Sequence, residues 1–124
     1  MKSAYTDEEI DQFLSFIGIP EEYYTANCPR RDLDFLTALH SHMLSTVPYE
    51  NLSLHYSKEK SISLDPHVLY QKIVLGGRGR GGYCMENSLL YMHMLRGLGF
   101  NTFTAGVRIR LREDGIPHGD YIGW

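Results

Sequence analysis

The sequence predicts an α+β protein, and three patterns carry that prediction. Four segments in the first hundred residues place apolar side chains at helical spacing. The segment after them alternates apolar and polar residues at the period of a strand, and Asp114-Gly115 then supplies a turn. Between the third and fourth helical segments stands a glycine-rich, doubly cationic stretch, Arg78-Gly79-Arg80-Gly81-Gly82-Tyr83-Cys84-Met85-Glu86.

Thr6-Asp7-Glu8-Glu9 has the spacing of a capping box, and Ile10, Phe13, Leu14 and Ile17 follow on one helix face. Gly18 and Pro20 stop that helix, and residues 20–31, with Pro20 and Pro29, read as a loop. A second helix starts near Asp32. Its expected stripe is Leu33, Leu36, Leu39, His40, Met43 and Leu44, and it ends before Pro48. Residues 47–55 have weak periodicity and read as irregular and partly buried. Asp65 caps the next helix with Pro66 at its first position. Val68, Leu69 and Ile73 form its face, and Gly76-Gly77 ends it; residues 70–75 also pass as a short strand. The longest helix runs from about Cys84 to Leu98, with Leu90, Met94 and Leu98 along one side and Gly99 closing it. Ala105, Val107, Ile109 and Leu111 then alternate with polar residues as a half-buried strand. Tyr121-Ile122-Gly123-Trp124 reads as the start of its returning partner. A long strand and the stub of a second cannot stand alone as a sheet, so the expectation is the N-terminal portion of a larger α+β protein.

The 124 residues are 43% hydrophobic and 22% charged, an ordinary globular composition. A net charge of −3 argues against a general nucleic-acid binder. The N-terminus is acidic and has no apolar core, so no signal peptide is expected. No apolar run approaches the ~18 residues of a membrane span. Cys28 and Cys84 form no CxxC pair, and a disulfide between them is left open. These points predict a soluble, reduced, cytoplasmic protein.

Cys84 is the leading candidate for chemistry. A helix N-terminus carries roughly half a positive charge, and two arginines precede it. Such surroundings can bring a cysteine pKa from about 8.5 into the ~3.5–7.5 range and leave a nucleophilic thiolate. The competing reading is a small buried core residue, the commonest fate of cysteine. Residues 77–82 also fit G-x-G-x-x-G, but a dinucleotide site needs a preceding strand and an acidic residue about 20 positions on. After Glu86 the next acidic residue is Glu113.

The histidines offer little. His40 and His42 face different ways on one helix, and no Cys/His spacing suits zinc. His93 is nine residues along the helix of Cys84. His118, in a polar turn, is the nearest candidate for a base. Cys28 reads as an incidental thiol. Glu50 sits among apolar neighbours, where an unpaired charge is costly, and Arg80 is its expected partner.

Taken together, these residues resemble the arylamine N-acetyltransferases. Arg80-Gly81-Gly82-Tyr83-Cys84-Met85-Glu86 looks like that family's active-site signature. Val47-Pro48-Tyr49-Glu50-Asn51-Leu52 looks like its Val-Pro-Phe-Glu-Asn-Leu segment, and Gly99-Phe100 like the pair closing its active-site helix. The order and spacing hold from about Asp7 to Trp124, in a style similar to fungal members. The resemblance implies a ping-pong transfer from acetyl-CoA, or another acyl-CoA, to an arylamine or hydrazine through an acyl-cysteine, without a metal, in xenobiotic metabolism.

By the same resemblance Cys84 is the nucleophile, and Glu50, Arg80, Gly81 and Gly82 support the site. Tyr49 and Tyr83 contact substrate. The implied fold is cysteine-protease-like, with residues 1–99 a helical domain and 100–124 the start of a truncated β-barrel domain. The chain departs from the family where Asn87 follows the glutamate by one position and Ser88 holds the usual asparagine place. The family's triad His and Asp would fall beyond Trp124, so little activity is expected from these residues alone. Two other classes stand beside this one: a nucleotide-binding module using the glycine loop, and a non-catalytic interaction fragment.

Overall fold

The capping box forms as the sequence predicts. Thr6 Oγ1 accepts the Glu9 N–H at 3.2 Å, and Glu9 Oε2 accepts the Thr6 N–H at 2.9 Å. This opens helix α1, Asp7–Phe16. The computed structural model describes residues 2–122. Among them it has four more helices: α2 (Leu33–Thr46), α3 (Leu52–Tyr56), α4 (Pro66–Tyr70) and α5 (Cys84–Gly97). Strands β1 (Ile109–Glu113) and β2 (Ile116–Ile122) pair antiparallel in a two-stranded sheet. No helix among the described residues is long and apolar enough to cross a membrane.

The core lies between α1, α2, α4 and α5. Ile10, Phe13, Leu14 and Ile17 of the first segment are all buried there, as their spacing predicts. Each such side chain contributes roughly 1.5–3 kcal/mol by leaving water. Helix α5 packs on α1 and α4. Its contact with α1 is so close that a Cβ on Gly97 would lie 2.1 Å from Ile10 Cδ1. Leu90 and Met94 face the core, as expected, while Leu98 is only half-buried. The loop over residues 20–31 contains two short 3-10 turns, Glu21–Tyr23 and Thr25–Asn27.

The stripe expected of α2 is rotated. Phe35, Leu39 and Met43 are buried, whereas Leu33 is 74% and Leu44 67% exposed, and His40 is exposed too. Asp32 sets the helix start by accepting the Phe35 N–H at 3.0 Å. Phe35 then stacks on Tyr23 with ring centres 4.7 Å apart and meets Phe100 at 5.7 Å. Burying that ring outweighs burying Leu33, which is left facing water.

One other segment departs from expectation, and the helix expected after Asp65 forms. Residues 52–56 form the short helix α3 rather than an irregular segment. Glu50 Oε2 accepts the Leu52 N–H at 2.7 Å and satisfies a first-turn donor. Helix α4 is capped by Asp65, whose Oδ1 accepts the His67 N–H at 2.8 Å. It then continues into a π turn over Gln71–Leu75 rather than a strand. Leu69, Tyr70, Ile73 and Val74 are buried on it, while Val68 faces out.

The half-buried strand predicted from residue 104 is corrected on both counts. The strand begins at Ile109, and both strands are exposed along their whole length. Ala105 and Val107 lie in the chain before it, and no layer covers the hairpin among the described residues. Glu113 pairs with Ile116, which leaves Asp114-Gly115 as the turn, with φ of 49° and 79°. Positive φ at both positions is the I′ geometry that suits tight hairpins. His118, expected in a turn, lies in β2 with Nε2 4.0 Å from Glu113 Oε2. Tyr121 and Ile122 complete β2, and the Gly123-Trp124 end of the predicted strand lies outside the described residues.

Candidate active site

Cys84 is the first residue of α5 and is exposed, so the buried-core reading fails. Cys28 is also free and exposed, which closes the disulfide question. The element before the glycine loop is helical rather than a strand, so the dinucleotide-binding context is absent.

The loop that delivers Cys84 is held by its own backbone. Gly82 pairs with Tyr49 in an isolated parallel bridge. The Gly82 carbonyl accepts the Glu50 N–H at 3.0 Å and Asn87 Nδ2–H at 2.8 Å. Asn87 also reaches the Pro48 carbonyl at 3.4 Å. The approach leaves no room for side chains at the two glycines. A Cβ on Gly81 would lie 1.8 Å from the Pro48 oxygen, and one on Gly82 would lie 2.6 Å from Glu86 Cβ. Gly81-Gly82 therefore close the loop onto residues 48–50 and the first turn of α5.

Four charged side chains brace the same loop. Arg80 Nε donates to Glu50 Oε1 at 2.8 Å, as the sequence predicts, and its Nη2 donates to Ser53 Oγ at 3.1 Å. Lys72 Nζ lies 3.8 Å from Glu50 Oε1 and 2.7 Å from Glu86 Oε1. Glu86, only 2% exposed, accepts the Tyr83 N–H through Oε2 at 3.0 Å. The charges alternate in sign along Arg80, Glu50, Lys72 and Glu86, and the four together are neutral. Pairing is what makes carboxylates at such depth tolerable. Burial works against the Glu50 charge. Hydrogen bonds from Arg80 and the Leu52 N–H, with the Lys72 and Arg80 charges, nevertheless hold its pKa below the usual carboxylate value.

Arg80 is thus committed to Glu50 and Ser53, rather than adding free positive charge at Cys84 as its place in the sequence suggests. Arg78 is exposed in the loop. Tyr49 is 71% exposed, and Tyr83 is half-buried with its hydroxyl 3.1 Å from Met85 Sδ. Sequence reasoning misses Lys72 and Asn87. Lys72 joins the site through Glu50 and Glu86, and Asn87 through Pro48 and the nearby Gly82. One signal is available for Lys72: two carboxylates in apolar surroundings, Glu50 and Glu86, need more than one cation.

Cys84 opens onto a pocket of about 380 Å³. Its walls are Leu64, Met85, Ser88 and Leu89 on one side and residues 104–107 on the other. The lining is largely apolar, with Ser88 and Thr104 as hydroxyl donors. No histidine belongs to this wall among the described residues, and His118 sits on the exposed hairpin. A nucleophilic sulfur at a helix N-terminus, beside an apolar pocket of this size, suits acyl capture from a thioester and delivery to a small, flat acceptor.

Comparison with known proteins gives a consistent picture. A family model described as N-acetyltransferase matches residues 32–118. An N-malonyltransferase FDB2 of Fusarium pseudograminearum is 33% identical over 114 residues, covering 85% of this chain and 33% of that protein. The arylamine N-acetyltransferase pineal gland isozyme NAT-3 of Gallus gallus is 38% identical over 100 residues, 77% of this chain and 33% of its own length. Arylamine N-acetyltransferase 1 of Oryctolagus cuniculus is 40% identical over 75 residues, 60% of this chain and 24% of its own length. The chain spans about a third of the length of the first two relatives.

Proposed function

Because this chain belongs to the arylamine N-acetyltransferase family, we propose that Cys84 takes an acyl group from an acyl-CoA and passes it to the nitrogen of an arylamine or hydrazine. The observation that carries the reading is the placement of Cys84. It is exposed, stands at the first position of α5, and faces an apolar pocket from a loop braced by paired charges.

The steps derive from that placement. The Cys84 sulfur attacks the thioester carbonyl from the first position of α5, its proton passing to solvent. The tetrahedral adduct collapses with loss of the CoA thiolate and leaves an acyl-cysteine. The amine then attacks that carbonyl, its proton passes to solvent, and Cys84 leaves as the thiolate. Tyr49 and Tyr83 stand by the loop as candidate contacts for the flat acceptor, and Gly81 and Gly82 keep the loop in place. In this reading residues 1–99 are the helical domain and 100–124 open a barrel-like domain, in a cysteine-protease-like arrangement. The 124 residues turn over poorly by themselves, since the pocket wall holds no histidine base among the described residues.

The donor is the open choice within the reading. The fungal relatives named for malonyl transfer favour a malonyl donor, while the apolar wall beside Cys84 favours an uncharged acetyl group. Intact-mass measurement after incubation with acetyl-CoA or malonyl-CoA tests both. One acyl group is expected on the wild-type protein and none on Cys84→Ser. Absence of any adduct with either donor would refute the reading and favour an interaction fragment. Nucleotide affinity unaffected by Cys84→Ala would favour the nucleotide-binding class.

A further inference from the structure

The acyl-transfer reading gives Lys72 no part, yet among the described residues Lys72 is the one cation in ion-pair range of Glu86. Glu86 has a structural task. By accepting the Tyr83 N–H at 3.0 Å it ties the end of the glycine loop to the first turn of α5. That task stations a buried carboxylate two residues along α5 from Cys84. The Lys72 ammonium, 2.7 Å away, pairs with it. Side-chain exposure of 16% for Lys72 and 2% for Glu86 leaves little water to do the same work. Lys72 also lies 3.8 Å from Glu50, whose partner is Arg80, so this lysine links the two carboxylates bracing the loop. The remaining charge on the loop, Arg78, is exposed.

We propose that Lys72 is a positioning residue for the Cys84 nucleophile: it neutralises Glu86, so that the carboxylate holds the loop to the helix without opposing charge on the sulfur. The use of this arrangement rests on the acyl-transfer reading, but its test does not require transfer. Cys28 provides an internal reference, since it is exposed and borders the opposite end of α5, beside Gly97 and Leu98.

The experiment is alkylation by iodoacetamide at neutral pH, read by peptide mass at both cysteines of the same folded molecule. Lys72→Met is expected to lower the Cys84:Cys28 rate ratio by roughly threefold to tenfold, the effect of one nearby charge partly screened by water. Glu86→Gln keeps an oxygen for the Tyr83 N–H and leaves Lys72 with only its longer contact to Glu50, so it is expected to raise the ratio by a similar factor. The double variant should return to within about twofold of wild type, and Lys72→Arg should retain the wild-type ratio. A merely structural lysine would make both single variants slower. The proposal is overturned if folded Lys72→Met keeps the wild-type ratio, if Glu86→Gln lowers it, or if the double variant stays as slow as Lys72→Met. Should Lys72→Met fail to fold, Glu86→Gln and the double variant decide by the same criteria. The acyl adduct on unaltered protein tests the transferase reading separately.

Discussion

Replacing Gly81 with alanine should unfold the nucleophile's loop before it touches any chemistry. The new Cβ would sit 1.8 Å from the Pro48 oxygen and 2.9 Å from the Pro48 carbonyl carbon. Both are backbone atoms with no rotamer to swing away, so one strand of the contact must retreat. Retreat stretches the Glu50 N–H to Gly82 carbonyl bond, now 3.0 Å, and the bridge between Tyr49 and Gly82. Losing one such hydrogen bond costs about 1 kcal/mol, and forcing extra volume into a packed contact costs about 1–3 kcal/mol. The combined loss of about 2–4 kcal/mol corresponds to a fall in Tm of roughly 10 °C for a chain of this size. Gly79→Ala is the control. Gly79 has φ of 64° with nothing within 4 Å of the added carbon, so it should cost only the left-handed penalty of about 1–2 kcal/mol. Thermal and urea unfolding of the two variants side by side is the assay. Equal losses would show that the clash is absorbed without cost and that the steric argument is wrong.

Two further outcomes are expected. His93 Nδ1 accepts the Ala4 N–H at 3.1 Å, which only the ring without a proton there can do. Burial first, with Arg96 and His67 adding like charge, lowers its pKa in the folded protein. The unfolded chain therefore binds the proton more readily. The stability contribution is full above about pH 6.5 and is lost as pH falls through the folded value. Urea midpoints at pH 7 and pH 5 should differ less for His93→Gln than for wild type, and equal differences would dismiss the assignment. Among the described residues the buried Tyr91 hydroxyl has no hydrogen-bond partner, and burial pushes its pKa up to about 12. Tyr91→Phe should be neutral or stabilising by up to about 1 kcal/mol, and a loss beyond that would mean that the hydroxyl is satisfied.

Local chemistry is the legible part of this fold. The Thr6 and Asp65 caps, the helix start near Asp32 and the Asp114-Gly115 turn each depend on a few adjacent residues, and each forms. The Glu50–Arg80 pair is legible for a different reason: a charge in an apolar segment demands a partner, and few are available. The hidden features depend on the third dimension. The choice of Phe35 over Leu33 is made by Tyr23 and Phe100. Lys72 and Asn87 meet the site through Glu86, Glu50, Pro48 and Gly82, contacts that no periodicity encodes. The strand after residue 104 is misjudged because alternation records which face is apolar, while burial depends on what covers it.

The π turn over Gln71–Leu75 makes the chain between α4 and the glycine loop tolerant of a change in length. A π turn holds one residue more than an α turn. Deleting a residue there would rewind the segment into plain α-helix and leave the chain on its C-terminal side facing much as before. Gly77 and Gly79, with open space around them, could take up any remaining shift before Arg80. When homologous chains are aligned, single-residue gaps should therefore gather between Tyr70 and Gly79, while the stretch from Arg80 to Asn87 admits none.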